Sequence, residues 1–188
     1  MSSSTSLFNR MVRAARLQPA FYEEVEADKD AIAQALLVVV LVSAAAGVGT
    51  GMEALIAGGA GRFIYGLMYG VAAAITGWLF WALFAYIIGV SILKGPQTSS
   101  TWGELLRTMG FASTPGLLRI FAFVPVVGGI IALVGSVWRL VATIIAVRQA
   151  LDFSTWRAIP TALIGWLLYM VLLSLMRMLA SGTTPSLL

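Results

Sequence analysis

Between Thr101 and Arg157 the sequence sets two apolar blocks against one short turn, Val124-Pro125-Val126-Val127-Gly128. Thr101-Trp102-Gly103-Glu104 has the spacing of a capping box, in which the hydroxyl and the carboxylate answer each other's backbone N–H groups, so a helix is expected to start there. A connection this short makes the two blocks antiparallel neighbours. Each is long enough to cross about 30 Å of hydrocarbon at roughly 1.5 Å per residue. The hairpin is therefore expected to sit inside a membrane bundle, with the remaining spans packed around it.

Composition supports that frame. Of 188 residues, 60% are hydrophobic and only 11% charged, where a soluble domain is nearer one quarter charged. The expected fold is all-α: a polytopic membrane helix bundle of five transmembrane helices with a short N-terminal amphipathic interfacial helix. Residues 1–30 form the interfacial and juxtamembrane segment, residues 31–180 the spans, and residues 181–188 a polar tail. The spans are expected near 31–52, 64–93, 104–123, 128–151 and 158–179.

Cysteine and histidine are absent, and five of the eight carboxylates precede residue 31. That removes thiolate nucleophiles, imidazole ligands to haem and zinc sites built on these residues. No cofactor, metal or catalytic residue is expected. The net charge of +4 is too modest to point to nucleic acid.

At the N-terminus, Leu7, Phe8 and Met11 recur at helical spacing while Arg10, Arg13 and Arg16 share another face. This pattern suits a bilayer surface, with anionic lipids as the expected partner. Pro19 opens a second short helix whose acids, Glu23, Glu24, Glu26, Asp28 and Asp30, read as a solvated face, with Asp30 as the cap of the first span. Gly66 and Gly70 make a close-packing pair in the second span. The aromatic run from Trp78 to Tyr86 reads as lipid contact and core packing. Pro160 suits the first turn of the last span. Ser100-Thr101-Trp102 and Ser154-Thr155-Trp156 echo each other, but a hydroxyl cap followed by an interfacial Trp explains both without duplication.

With the N-terminus inside, Arg10, Arg13, Arg16, Lys29, Lys94, Arg107, Arg148 and Arg157 fall on the inner side. Only Arg62, Arg119 and Arg177 fall toward the outside, which favours N-in and C-out. The remaining cation, Arg139, stands about 11 residues beyond Gly128, roughly 16 Å deep and out of easy reach of either surface. Pro115 has no N–H, which leaves the Phe111 carbonyl without its helical donor. Phe111, Ser43, Thr76, Ser113, Thr114 and Tyr169 count to a similar depth. They are expected to form a polar layer in which Arg139 donates to the Phe111 carbonyl or to hydroxyls. The alternative makes Arg139 an anion or headgroup site in a water-filled cavity. Glu53 and Arg119 are a candidate pair at the outer interface.

The segments QPAFYEEVEADKDAIAQALLVVV, ELLRTMGFASTPGLLRIFAFVPVVGGII and WRLVATIIAVRQALDFSTWRAI together resemble the Yip (Ypt-interacting protein) domain family, over about Pro19 to Leu179. The resemblance implies five spans with a cytoplasmic N-terminus. Its eukaryotic members are linked to Rab-type GTPases and vesicle traffic. The short N-terminal region here is similar to the compact prokaryotic form, which implies a prokaryotic cytoplasmic membrane. The family brings no catalytic residues.

A non-catalytic membrane scaffold or adaptor is the reading expected from these features, with an accessory subunit of a larger membrane complex as its variant. The alternative is a small-solute or ion transporter or channel. An intramembrane enzyme is disfavoured, because Asp152 stands alone and Glu53 and Glu104 fall at opposite faces.

Overall fold

The computed structural model describes residues 6–56, 60–95, 98 and 100–181, all of it helix and short connections. α1 (Leu7–Ala15) is capped by Ser6, whose hydroxyl accepts from the Asn9 N–H at 3.3 Å. α2 (Pro19–Ala27) begins at the proline, whose missing N–H is no loss in a first turn. Asp28 then closes the turn into α3: its carboxylate accepts from the Asp30 N–H at 3.1 Å, so Asp28 rather than Asp30 serves the backbone there.

α3 (Ala31–Ile56) ends later and α4 (Ala60–Ile87) starts earlier than the sequence suggests, and helix occupies most of the glycine-rich stretch expected to be a loop. α4 ends in one π-helical turn, Ile88–Ile92. The capping box at Thr101 and Glu104 forms with both of its bonds, and α5 (Trp102–Ala112) starts from it. α6 (Gly128–Ala150) and α7 (Thr155–Ser181) complete the chain. Because α7 begins at Thr155, Pro160 lies beyond its first turn and inside the helix, correcting the expected placement. The tail from residue 182 lies outside the described residues.

Among the described residues, four stretches are long and apolar enough to cross a bilayer: Ala31–Gly49, Ala74–Ile92, Gly128–Ala150 and Thr155–Leu175. The expected span 104–123 is not one of them, because it is not one α-helix. α5 stops at Ala112, and Thr114–Phe121 continues as a 3-10 helix. Pro115 cannot donate to the Phe111 carbonyl, and the neighbouring hydroxyls take over the last carbonyls. Thr114 Oγ1 donates to Phe111 O at 2.6 Å, and Ser113 Oγ donates to Gly110 O at 2.6 Å.

α3 packs on α4, α4 on α7, α7 on α6, and α6 on α5 and its 3-10 continuation, which returns to α3. These elements form a closed ring. α5 also packs against α4, where Trp78 Nε1 donates to Leu106 O at 3.0 Å. The 3-10 helix packs instead on α3 and α6. Trp81 Nε1 donates to Ala162 O at 3.1 Å, tying α4 to α7, so both tryptophans of the aromatic run face the interior.

Close approach of α3 to α5 depends on Gly110, where an added Cβ would meet the Ala35 Cβ at 2.7 Å. Neither backbone can yield without disturbing the α3 contact, so Gly110→Ala is expected to destabilise the bundle by about 1–3 kcal/mol through overpacking. Gly129 has nothing within 4 Å of such a Cβ, so Gly129→Ala supplies the control. Thermal unfolding in detergent should show a lowered midpoint for the first variant and none for the second.

Candidate functional site

Two polar regions stand out, at different heights of the bundle. The first joins the N-terminal helices to the rest. α1 and α2 lie against α5 and α6. Phe21, Tyr22 and Val25 are fully buried, and Phe21 meets Phe111 edge-on with ring centroids 5.3 Å apart. Tyr22 OH donates to Ala14 O at 3.1 Å, and Trp138 Nε1 donates to Ala15 O at 2.8 Å.

The arginines expected to face a membrane surface divide. Arg10 is buried over the Phe111 ring, donating to Asp28 at 2.5 Å and to Gln34 at 2.9 Å. Arg13 pairs with Glu24 at 2.7 Å and lies over the Phe21 ring. Arg16 is exposed. The reason is charge balance: α2 brings its acids against the arginine face of α1. The Arg10 guanidinium accordingly holds the Asp28 carboxyl below the usual carboxylate range. The acids of α2 are thus only partly a solvated face.

Arg107, one turn into α5, is buried and closes the other edge of this cap. Its Nε donates to Val25 O at 3.2 Å, and a terminal nitrogen donates to Glu26 O. These bonds use the free carbonyls at the end of α2, the place where a cation is favoured. Gln149 of α6 donates to Glu23 at 2.6 Å. Burial, followed by the charges of Asp152 and Glu104, raises the Glu26 carboxyl to about 7, with Arg107 opposing and Glu23 adding to the rise. No signal in the sequence separates Arg107 from the other inner-side cations, because its acceptors are backbone carbonyls more than 80 residues away.

The second region lies in the ring, where the 3-10 helix has left α4. A cavity of about 420 Å³ is lined by Trp81, Gly116, Arg119, Arg139, Trp166 and Met170 among others. A second, of about 350 Å³, shares Trp81, Arg119, Arg139, Trp166 and Met170 and adds Ser43, Gly77, Trp78 and Tyr169. Arg139 Cζ lies 5.6 Å from the centre of the Trp81 ring, at cation–π distance. Arg139 Nε is buried without a hydrogen-bond partner among the described residues.

This corrects the expected polar layer. The Phe111 carbonyl is taken by Thr114, and Ser43 Oγ donates to Val39 O at 2.6 Å, so these groups satisfy their own helices rather than Arg139. Phe111 itself belongs to the N-terminal cap. Thr76 is exposed, while Ser113, Thr114 and Pro115 are buried. Of the expected layer, Ser43 and Tyr169 do line a cavity with Arg139. Tyr169 packs over Gly77, where a Cβ would meet its hydroxyl at 2.6 Å. Arg119 forms no ion pair with a described side chain. Glu53, Gly66 and Gly70 fall outside the residues whose surroundings are described. Trp81 and Trp166 were the cavity residues that spacing alone could not single out from lipid-facing aromatics.

Glu26 supplies a pH test. Its carboxyl titrates near 7 in the folded chain, above its ordinary value of 4.5. Protonation is therefore favoured by folding, and the stability it gives is lost as pH rises from about 4.5 through about 7. Thermal midpoints at pH 5 and pH 8 should differ for the native chain. Glu26→Gln should narrow that difference by raising the midpoint at pH 8.

A Yip1 domain family model matches residues 16–176, a range that includes α2, the ring elements from α3 to α6 and most of α7. No curated protein and no solved structure matches the chain.

Proposed function

The chain belongs to the Yip1 domain family, and on that premise we propose that it acts as a non-catalytic integral membrane scaffold or adaptor. The observation that carries this reading is the N-terminal cap. Arg10 and Arg13 tie α1 to Asp28 and Glu24 of the α2 segment, while Arg107 and Gln149 tie α2 to the α5–α6 hairpin. The bundle thereby carries an ordered surface at one end, with Phe8 and Arg16 exposed on it for anionic lipid or for a partner protein. On this reading α5 and the 3-10 helix cross the membrane together as a third, broken span. There are then five spans, the N-terminus is cytoplasmic and the C-terminus is outside, in the cytoplasmic membrane of a prokaryote. An accessory role in a larger membrane complex is the form in which such a scaffold is expected to work.

The absence of native cysteine makes topology directly testable. Single variants Ser6→Cys and Ser181→Cys in sealed, right-side-out vesicles should react differently with a membrane-impermeant maleimide: Ser181→Cys labels and Ser6→Cys does not. Equal protection or equal labelling means an even number of crossings and overturns the five-span reading.

The scaffold reading is tested by mild-detergent extraction of a tagged chain followed by quantitative proteomics. A stoichiometric membrane partner is expected, and its recovery should fall when Asp28→Asn loosens the cap. Recovery of the chain alone as a clean monomer, in either form, would sink the accessory-subunit variant. The cavity at Arg119 and Arg139 favours transport of a small solute or ion as the second reading. Flux into proteoliposomes above that of empty vesicles would establish it.

A further inference from the structure

Among the described residues Arg139 has no acid to answer it. Neither cavity has an Asp or Glu among its described lining residues, yet both contain Arg119 and Arg139. A guanidinium does not deprotonate under ordinary conditions, so it cannot escape burial by losing its charge. The Trp81 face offers partial compensation at 5.6 Å, but a ring quadrupole does not neutralise two cations. The buried Nε of Arg139 still lacks an acceptor. Within the membrane region such groups face protein or a polar cavity and require a counter-charge.

We propose that this cavity binds a phosphate oxyanion, with Arg119 and Arg139 as its two cationic donors. Three features select that chemistry. The donors are both arginines, whose planar forks match the oxygens of phosphate better than the point charge of lysine does. The Tyr169 hydroxyl lines the second cavity, forms no hydrogen bond with a described residue and supplies a neutral donor. The volume of about 420 Å³ in the first cavity is large against the roughly 30 Å³ that one water occupies, so there is room for a phosphate and the groups attached to it.

The walls also bear on the source of the phosphate. Val137, Leu163, Trp166 and Met170 line the first cavity between α6 and α7, and Val137 is 54% exposed on the outer face of the bundle. A membrane phospholipid could place its headgroup between the arginines and leave its tails along this apolar side. Inorganic phosphate would use the same donors without the apolar wall.

The test uses the full chain, purified and delipidated in detergent, with thermal unfolding followed by intrinsic fluorescence. Dioleoylphosphatidylglycerol is titrated in mixed micelles, against dioleoylglycerol, which has the same tails without the phosphate. Inorganic phosphate is titrated against chloride at matched ionic strength. The phosphate-bearing lipid is expected to raise the midpoint saturably while dioleoylglycerol does not. Arg119→Gln and Arg139→Gln should each weaken the response about tenfold or more, the loss of one charge-assisted donor pair. Arg148→Gln, at the far end of α6, should leave it unchanged.

Removing a buried charge can shift stability by itself, so the reading is the ligand concentration at half effect, not the midpoint of the free variant. Arg139→Lys keeps the charge and loses the fork, and should fall between the native chain and Arg139→Gln. A response to the lipid alone assigns the site to a phospholipid headgroup. An equal response to inorganic phosphate assigns it to the free anion. No response to either, the same response to dioleoylglycerol, or a half-effect concentration unmoved in both glutamine variants overturns the proposal.

Discussion

At Pro115 the backbone has no N–H to donate, so the Phe111 carbonyl cannot be answered along the helix. The chain resolves this locally. Ser113 and Thr114 turn their hydroxyls back onto the carbonyls of Gly110 and Phe111, and the next turns tighten into a 3-10 helix. The consequence is architectural. Up to Ala112 the hairpin packs on α4 as well as on α3 and α6; beyond it, the thinner 3-10 helix packs mainly on α3 and α6. The space given up beside α4 is where Arg119, Arg139 and four aromatic residues, Trp78, Trp81, Trp166 and Tyr169, meet.

The opposite end of the hairpin is governed by charge rather than by backbone geometry. α1 carries arginines and α2 carries acids, and neither would be stable against an apolar bundle with its charges unanswered. Together they neutralise much of each other, and their apolar residues close over Phe111. Arg107 completes the seal by taking the carbonyls at the end of α2. The same closure partly buries Glu26 and sets it near Asp152 and Glu104, and that burial first, then those charges, push its carboxyl up to about 7. Packing of the cap and protonation of Glu26 are therefore linked.

Arg139 shows how the two halves differ. Near the cap every buried arginine has oxygen acceptors, from carboxylates, amides or backbone carbonyls. In the cavity Arg139 meets the Trp81 face, and among the described residues the hydroxyls of Ser43, Ser113 and Thr114 are committed to their own helices, leaving that of Tyr169. Thr143, one turn further on, likewise donates to the Arg139 carbonyl and not to its own surroundings. A short-range rule, that serine and threonine in helices bond back to the preceding turn, outweighs the long-range attraction of a guanidinium.

The sequence by itself determined the all-helical membrane class, the start of α5 at its capping box, the start of α3 at Ala31 and the short turn that begins α6 at Gly128. These depend on hydrophobic length and on bonds between residues three or four apart, which spacing reveals. It also singled out Pro115 as leaving the Phe111 carbonyl without a donor, though not as ending α5 at Ala112, and Arg139 as a deep, isolated cation. Only the tertiary structure decided what those two did to each other. The freed carbonyl went to Thr114, Trp81 came under the guanidinium from a helix nearly 60 residues earlier, and the α1 arginines turned from the expected membrane surface to α2. Each of those outcomes is a competition between a local partner and a distant one for the same atom. A one-dimensional pattern shows the local partner and not the distance to the other.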